Sequence, residues 1–388
     1  MAIRRVGIRT VNRSVLLRAV AAAVLIAAVS GCSLWGGRSA KPVAADLGPN
    51  VAVLGVRQAW TARVGKIELP LELHVNGNVV TLASSDGIVV ALDARTGSDV
   101  WRAALGESLS TGPGSDGKTA AVVTRANALV ALESGREKWR QQLPAQVFTP
   151  PLVAGGRVFV LSADRSVTAY DGSTGRRLWS QQRPGEPLVL RQSGVLLAAG
   201  DTLLVGLSGR MVGMNPNTGV AQWEVPLASP RGTNDVERLV ELVGRVSRVG
   251  DSVCARAFQA SVGCVNIARG AGAWTQSASG SEGVHGDDRA VFGTEGNGVV
   301  TAWNRSDGSR LWSIDRYKHR KLTAPLLLGR SIVFGDESGT VHLVSRDDGA
   351  PLNRISTDGS GIAAAPTVAS DTLVIVSRNG SVYGFRPD

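Results

Sequence analysis

Asp171-Gly172-Ser173-Thr174-Gly175, with Trp179 four residues beyond the last glycine, is a phrase that this 388-residue chain repeats. It returns as Asp93-Ala94-Arg95-Thr96-Gly97 with Trp101, as Asn215-Pro216-Asn217-Thr218-Gly219 with Trp223, and as Asn304-Arg305-Ser306-Asp307-Gly308 with Trp312. Weaker copies are Glu133-Ser134-Gly135 with Trp139 and Arg269-Gly270 with Trp274. One copy, Arg346-Asp347-Asp348-Gly349, has Asn353 where the others have Trp. The glycines at 97, 135, 175, 219, 270, 308 and 349 are 38, 40, 44, 51, 38 and 41 residues apart. A period near 40 residues signals an array of similar units.

Within one unit, residues 155–170, apolar runs of about five residues alternate with short turns of Gly, Asp, Ser and Asn, which is strand and turn chemistry. No stretch after residue 31 keeps a helical period for three turns. The turn has a physical logic. Its first side chain accepts hydrogen bonds from the backbone two residues on, and Gly supplies the left-handed conformation. The Trp then falls at a fixed place on the next strand, where its roughly 150–250 Å² can wedge units together. Trp60 has no strands before it, and the last strand set, 371–385, has no Trp after it. These halves complete each other. The expected fold is therefore all-β: an eight-bladed β-propeller over residues 56–388, with four-stranded blades, closed by an N-terminal strand joining the C-terminal blade. An open solenoid would carry polar caps at its ends instead.

Residues 1–31 carry Arg4, Arg5, Arg9, Arg13 and Arg18, no acid, and the apolar run 19–29, which is too short to span a bilayer. The run ends in Val29-Ser30-Gly31-Cys32. This resembles a bacterial lipoprotein signal, with Cys32 as the lipidated terminus; the alternative is an ordinary secretory signal with an incidental Cys. Ser33 after the Cys, where retained lipoproteins carry Asp, points to the outer membrane. Removing this segment lowers the net charge from +10 to +5, because five Arg and no acids leave. That mild excess, without basic blocks or interleaved aromatics, gives no support to nucleic-acid binding. Residues 32–55 are rich in Gly, Ala, Pro and Ser and read as a lipid-anchored flexible tether. Cys254 and Cys264 lie on two runs joined by a tight turn; in an oxidising compartment they form either a cross-strand disulfide or two buried thiols.

Nothing in the sequence assembles a catalytic site. The four His (His74, His285, His319 and His342) do not pair with each other or with Cys at ligand spacing, so no metal site is expected. Residues 293–298, Gly-Thr-Glu-Gly-Asn-Gly, sit between strands with no helix to follow and read as a hairpin turn. No cofactor is expected.

The repeat resembles the pyrroloquinoline-quinone-type propeller repeat, which is shared by quinoprotein dehydrogenases and the BamB family of outer-membrane assembly lipoproteins. More specific matches to the BamB family are the long connection 230–241, His319-Arg320-Lys321-Leu322, Gly335-Asp336-Glu337 through His342, and Leu188-Val189-Leu190-Arg191. The resemblance implies a non-enzymatic, lipid-anchored subunit of the β-barrel assembly machinery on the periplasmic side of the outer membrane. Its implied partners are the POTRA domains of BamA, the other subunits through BamA, and unfolded outer-membrane proteins. Contact is implied at Leu188, Leu190 and Arg191, with a second set at Arg238 and Glu241. The second acidic place of the pattern holds Val243, and the place after the Arg holds Gln192. Leu188 and Leu190 read otherwise as a core strand of blade 4, and Glu237, Arg238 and Glu241 as a solvated loop. Two rival functions stand beside this one: a quinone-dependent dehydrogenase, and a lipid-anchored propeller binding another envelope ligand.

Overall fold

In a computed structural model, residues 42–184, 188–230 and 239–388 are described, together with residues 2 and 234. Of the expected features, Cys32, Glu237 and Arg238 lie outside the described residues. Among the described residues there is no helix, and the strands form eight four-stranded antiparallel sheets. Seven sheets take four consecutive strands each. The eighth combines Thr367–Ala369, Thr372–Val376 and Ser381–Pro387 with Val56–Arg63 from the other terminus. Val56–Arg63 pairs antiparallel with Ser381–Pro387, from Val56 opposite Pro387 to Arg63 opposite Ser381. The eight-bladed closure expected from the two complementary halves is present.

First strands of most neighbouring blades touch around the axis, including those of blades 8 and 1. The second and third strands of each blade are buried because both faces meet other blades. Ala128–Glu133 and Arg157–Leu161 are apolar and almost wholly enclosed. Fourth strands such as Ala271–Ser277 face outward and are polar.

The repeated turn joins third to fourth strands. In blade 3, Asp171 Oδ1 accepts from the Ser173 and Thr174 amides at 3.0 and 2.9 Å, and Gly175 takes φ of 73°. Trp139 of the preceding blade sits on that glycine and donates from Nε1 to the Gly172 carbonyl at 3.0 Å. A Cβ on Gly175 would lie 2.6 Å from the Trp139 ring, so the glycine is required by space as well as by φ. Trp60, Trp101, Trp179, Trp223, Trp274 and Trp312 likewise pack against Gly97, Gly135, Gly219, Gly270, Gly308 and Gly349, and Trp60, Trp179, Trp274 and Trp312 also donate from Nε1 to a carbonyl of the next blade's turn. Each Trp lies across from a small residue of its own blade: Gly384, Ala91, Ala131, Ala169, Gly213, Cys264 or Ala302.

Asn353, the exception, now has a cause. Its Trp would need the third-to-fourth turn of blade 8, but those two strands are the chain's opposite ends and no turn joins them. Asn353 faces Leu343 rather than a small residue. Its Nδ2 donates to the Leu54 carbonyl at 2.7 Å, and its Oδ1 accepts from Asn50 Nδ2 at 2.8 Å.

Residues 45–54, counted with the tether in the sequence, are thus strapped to the ring. The Val53 amide donates to the Leu352 carbonyl at 2.8 Å, and the Ala45 amide to the Lys318 carbonyl at 2.9 Å. Arg320 Nη2 donates to the Ala45 carbonyl at 2.9 Å, and Leu47 is buried among Tyr317, Leu322 and Phe334. The ten residues carry no periodic pattern because the ring holds them mainly by their backbone.

Candidate functional site

Strand alternation places the second-to-third turns and the blade-to-blade connections at one end of the ring. The repeated glycine turns are at the other. At the first end the central channel opens in a cavity of about 470 Å³, lined by residues including Glu72, Arg191, Arg245, Glu282, Glu295 and Arg378. Its charges are coupled across the axis. Glu72 is raised by burial, which the nearby Arg245 charge partly opposes, and Arg245 Nη1 donates to the Pro366 carbonyl at 2.8 Å. Burial pushes Glu282 up to about 7, with Arg256 and Arg378 pulling it down. Arg256 is fully enclosed, donates from Nη2 to Glu295 Oε1 at 3.0 Å, and lies 5.9 Å from the Trp303 ring. Burial lowers His74 to about 4 and His285 to about 3, so both are neutral at pH 7.

Leu188, Leu190 and Arg191 lie at this same end, on the connection from blade 3 to blade 4. They belong to no strand; the first strand of blade 4 is Leu196–Ala199. The core-strand alternative therefore fails. Leu188 is 40% exposed, Leu190 is half-buried, and the Arg191 guanidinium lies 5.5 Å from the Phe148 ring centre. The segment is pinned on its far side: Gln192 Nε2 donates to the Ser281 carbonyl at 2.7 Å, and the Gly244 amide to the Ser193 carbonyl at 2.9 Å. Gln192, which departs from the family pattern, thus ties the segment across the channel mouth.

Glu241 lies beneath this segment, facing inward. It accepts from Arg165 Nη1 at 2.7 Å, with the two side chains only 6% and 13% exposed. Arg165 Nη2 donates to the Leu188 carbonyl at 3.1 Å. The solvated-loop alternative therefore does not hold for Glu241. Arg165 escaped the sequence reading because it occupies a turn at φ of 64°, a conformation that an Arg does not advertise.

Cys254 and Cys264 face each other directly between Ser252–Ala257 and Ser261–Asn266 and are disulfide-bonded. The motifs around His319 and Asp336 converge. Asp336 Oδ2 accepts from Arg320 Nη1 at 2.9 Å and meets His342 Nε2 at 3.0 Å, beneath Tyr317. They brace the strap rather than line a reactive site. Among the described residues, no group of His, Cys, Asp or Glu could hold a metal ion.

Comparison with known proteins agrees with this geometry. The sequence pattern described as "Outer membrane protein assembly factor BamB" matches residues 85–314. A protein of that name from Burkholderia pseudomallei is 39% identical over 95% of this chain and 97% of its own length. The crystal structure of BamB from Moraxella catarrhalis superposes with a TM-score of 0.78 at 24% identity, covering 85% of this chain and 99% of that one. The quinohemoprotein alcohol dehydrogenase of Comamonas testosteroni shares the fold alone, with a TM-score of 0.64 at 15% identity, covering 86% of this chain and 77% of that one. Repeat, closure and full-length likeness lead to one conclusion: this chain belongs to the BamB family of outer membrane protein assembly factors, and its role is that of an assembly factor, not an enzyme.

Proposed function

We propose that the chain is anchored by a lipid on Cys32 at the periplasmic face of the outer membrane, where it docks on the POTRA domains of BamA and scaffolds the insertion of β-barrel proteins. Leu188, Leu190 and Arg191 are the contacts. One observation carries this reading: an exposed Leu and an Arg stand together on a segment fastened through the Leu188 carbonyl on one side and the Gln192 side chain on the other. A fixed apolar anchor beside a fork of donors suits an interface hot spot, because little ordering entropy remains to be lost on binding. Other subunits are reached through BamA. The test is an affinity pull-down of the tagged protein from detergent-solubilised membranes, repeated with Leu188, Leu190 and Arg191 changed to Glu. Recovery of BamA with the wild type and its loss with the triple variant is expected. Wild-type protein that recovers no barrel-assembly subunit would refute the scaffold, and a triple variant that binds normally would refute the contact set.

A further inference from the structure

We propose that Arg165 and Glu241 are positioning residues for the docking segment: the ion pair between them fixes the Leu188 backbone, and Glu241 does not itself touch the partner. This rests on the docking reading above. The pair joins three parts of the ring. Arg165 sits on the turn between the second and third strands of blade 3, Leu188 on the connection leaving that blade, and Glu241 just before Leu242–Val249, the first strand of blade 5. One guanidinium fork therefore spans past blade 4.

Glu241 is committed inward. The Phe258 amide donates to its carbonyl at 2.9 Å, and its carboxylate is enclosed against Arg165. Below Val189 and Leu190 lies a cavity of about 50 Å³ lined by Phe148, Leu161, Arg165, Glu241 and Leu242, so packing alone does not hold the loop down. Removing Arg165 leaves Glu241 buried without this counter-ion and the Leu188 carbonyl without this donor, and removing the Glu241 charge takes away the carboxylate that orients the Arg165 fork.

The experiment uses the full-length lipoprotein in detergent, with purified BamA as the probe. Hydrogen exchange is followed at 188–193 alongside BamA affinity in wild type, Arg165→Met, Arg165→Lys, Glu241→Gln and Leu188→Ala. Exchange at 188–193 is expected to quicken about 10-fold in Arg165→Met and Glu241→Gln, with BamA affinity falling by a similar factor. Arg165→Lys should recover most of both, whereas Leu188→Ala should lose affinity with exchange at 190–193 unchanged. Should Arg165→Met fail to fold, the near-isosteric Glu241→Gln carries the test. Unchanged exchange in Glu241→Gln overturns the proposal, and unchanged exchange with weakened binding makes Glu241 a direct contact. If wild type does not bind BamA, the docking reading fails, while the exchange arm still decides whether this pair holds the loop.

Discussion

Seven junctions between neighbouring blades are closed by a Trp seated on a glycine turn; the eighth, between blades 7 and 8, is closed by Asn353 and a strap from the other end of the chain. The first kind excludes water and buries a large ring, as where Trp139 meets Gly175. The second is a polar junction at the surface, built from amide hydrogen bonds between Asn353, Asn50 and Leu54. The difference follows from covalent connectivity. A repeat unit can hand its Trp only to a turn, and the place where a ring is sewn shut lacks one.

The largest expected effect separates the two kinds of junction directly. Trp139→Ala should cost about 3–5 kcal/mol in urea unfolding, because it empties a packed site. Asn353→Ala should cost about 1 kcal/mol, the scale of exposed hydrogen bonds. Equal losses would erase the distinction. The next effect tests volume matching. Asn353→Trp alone meets Leu343 and should destabilise by about 1–3 kcal/mol. Adding Leu343→Ala should return part of that loss, with a favourable coupling of about 0.5–2 kcal/mol. Strict additivity would show that the facing residue does not set the choice.

The smallest effect is one of pH. Burial lowers His342 beneath the strap, against the opposing pull of Asp336, with Arg320 and Arg354 also lowering it. The unfolded imidazole takes a proton below about pH 6.5 while the folded one resists. Stability from this group is therefore present above that pH and declines as acid is added. Between pH 7.5 and 5.5 the unfolding free energy of wild type should fall by up to about 1 kcal/mol relative to His342→Gln. A pH-independent difference would mean that this imidazole titrates alike in both states.

The ring was legible in the sequence because the Trp phrase is local: turn, glycine and ring lie within nine residues, and their spacing counts the blades. Closure was legible because Trp60 lacked strands before it and residues 371–385 lacked a Trp after them. The strap was hidden, since Ala45, Leu47 and Val53 are held through carbonyls and amides that every residue possesses. The Leu188–Arg191 segment was visible as a motif, but its support was not. Arg165 and Glu241 are 76 residues apart, and nothing in either neighbourhood names the other. The motifs around His319 and Asp336 were seen as words without a sentence until the fold placed Arg320 against Asp336.

The strap has a consequence for reach. With residues 45–54 fastened to blades 6 and 7, a lipid at Cys32 would be joined to the body through only the twelve steps to Ala44. Fully drawn out, these cover about 40 Å. They depart beside Lys318 and Arg320, at the same end of the ring as Leu188 and the channel mouth. Because of the strap, any pull on the upstream chain enters the ring at this rim, beside Lys318 and Leu352, rather than at Val56 where the closing strand begins.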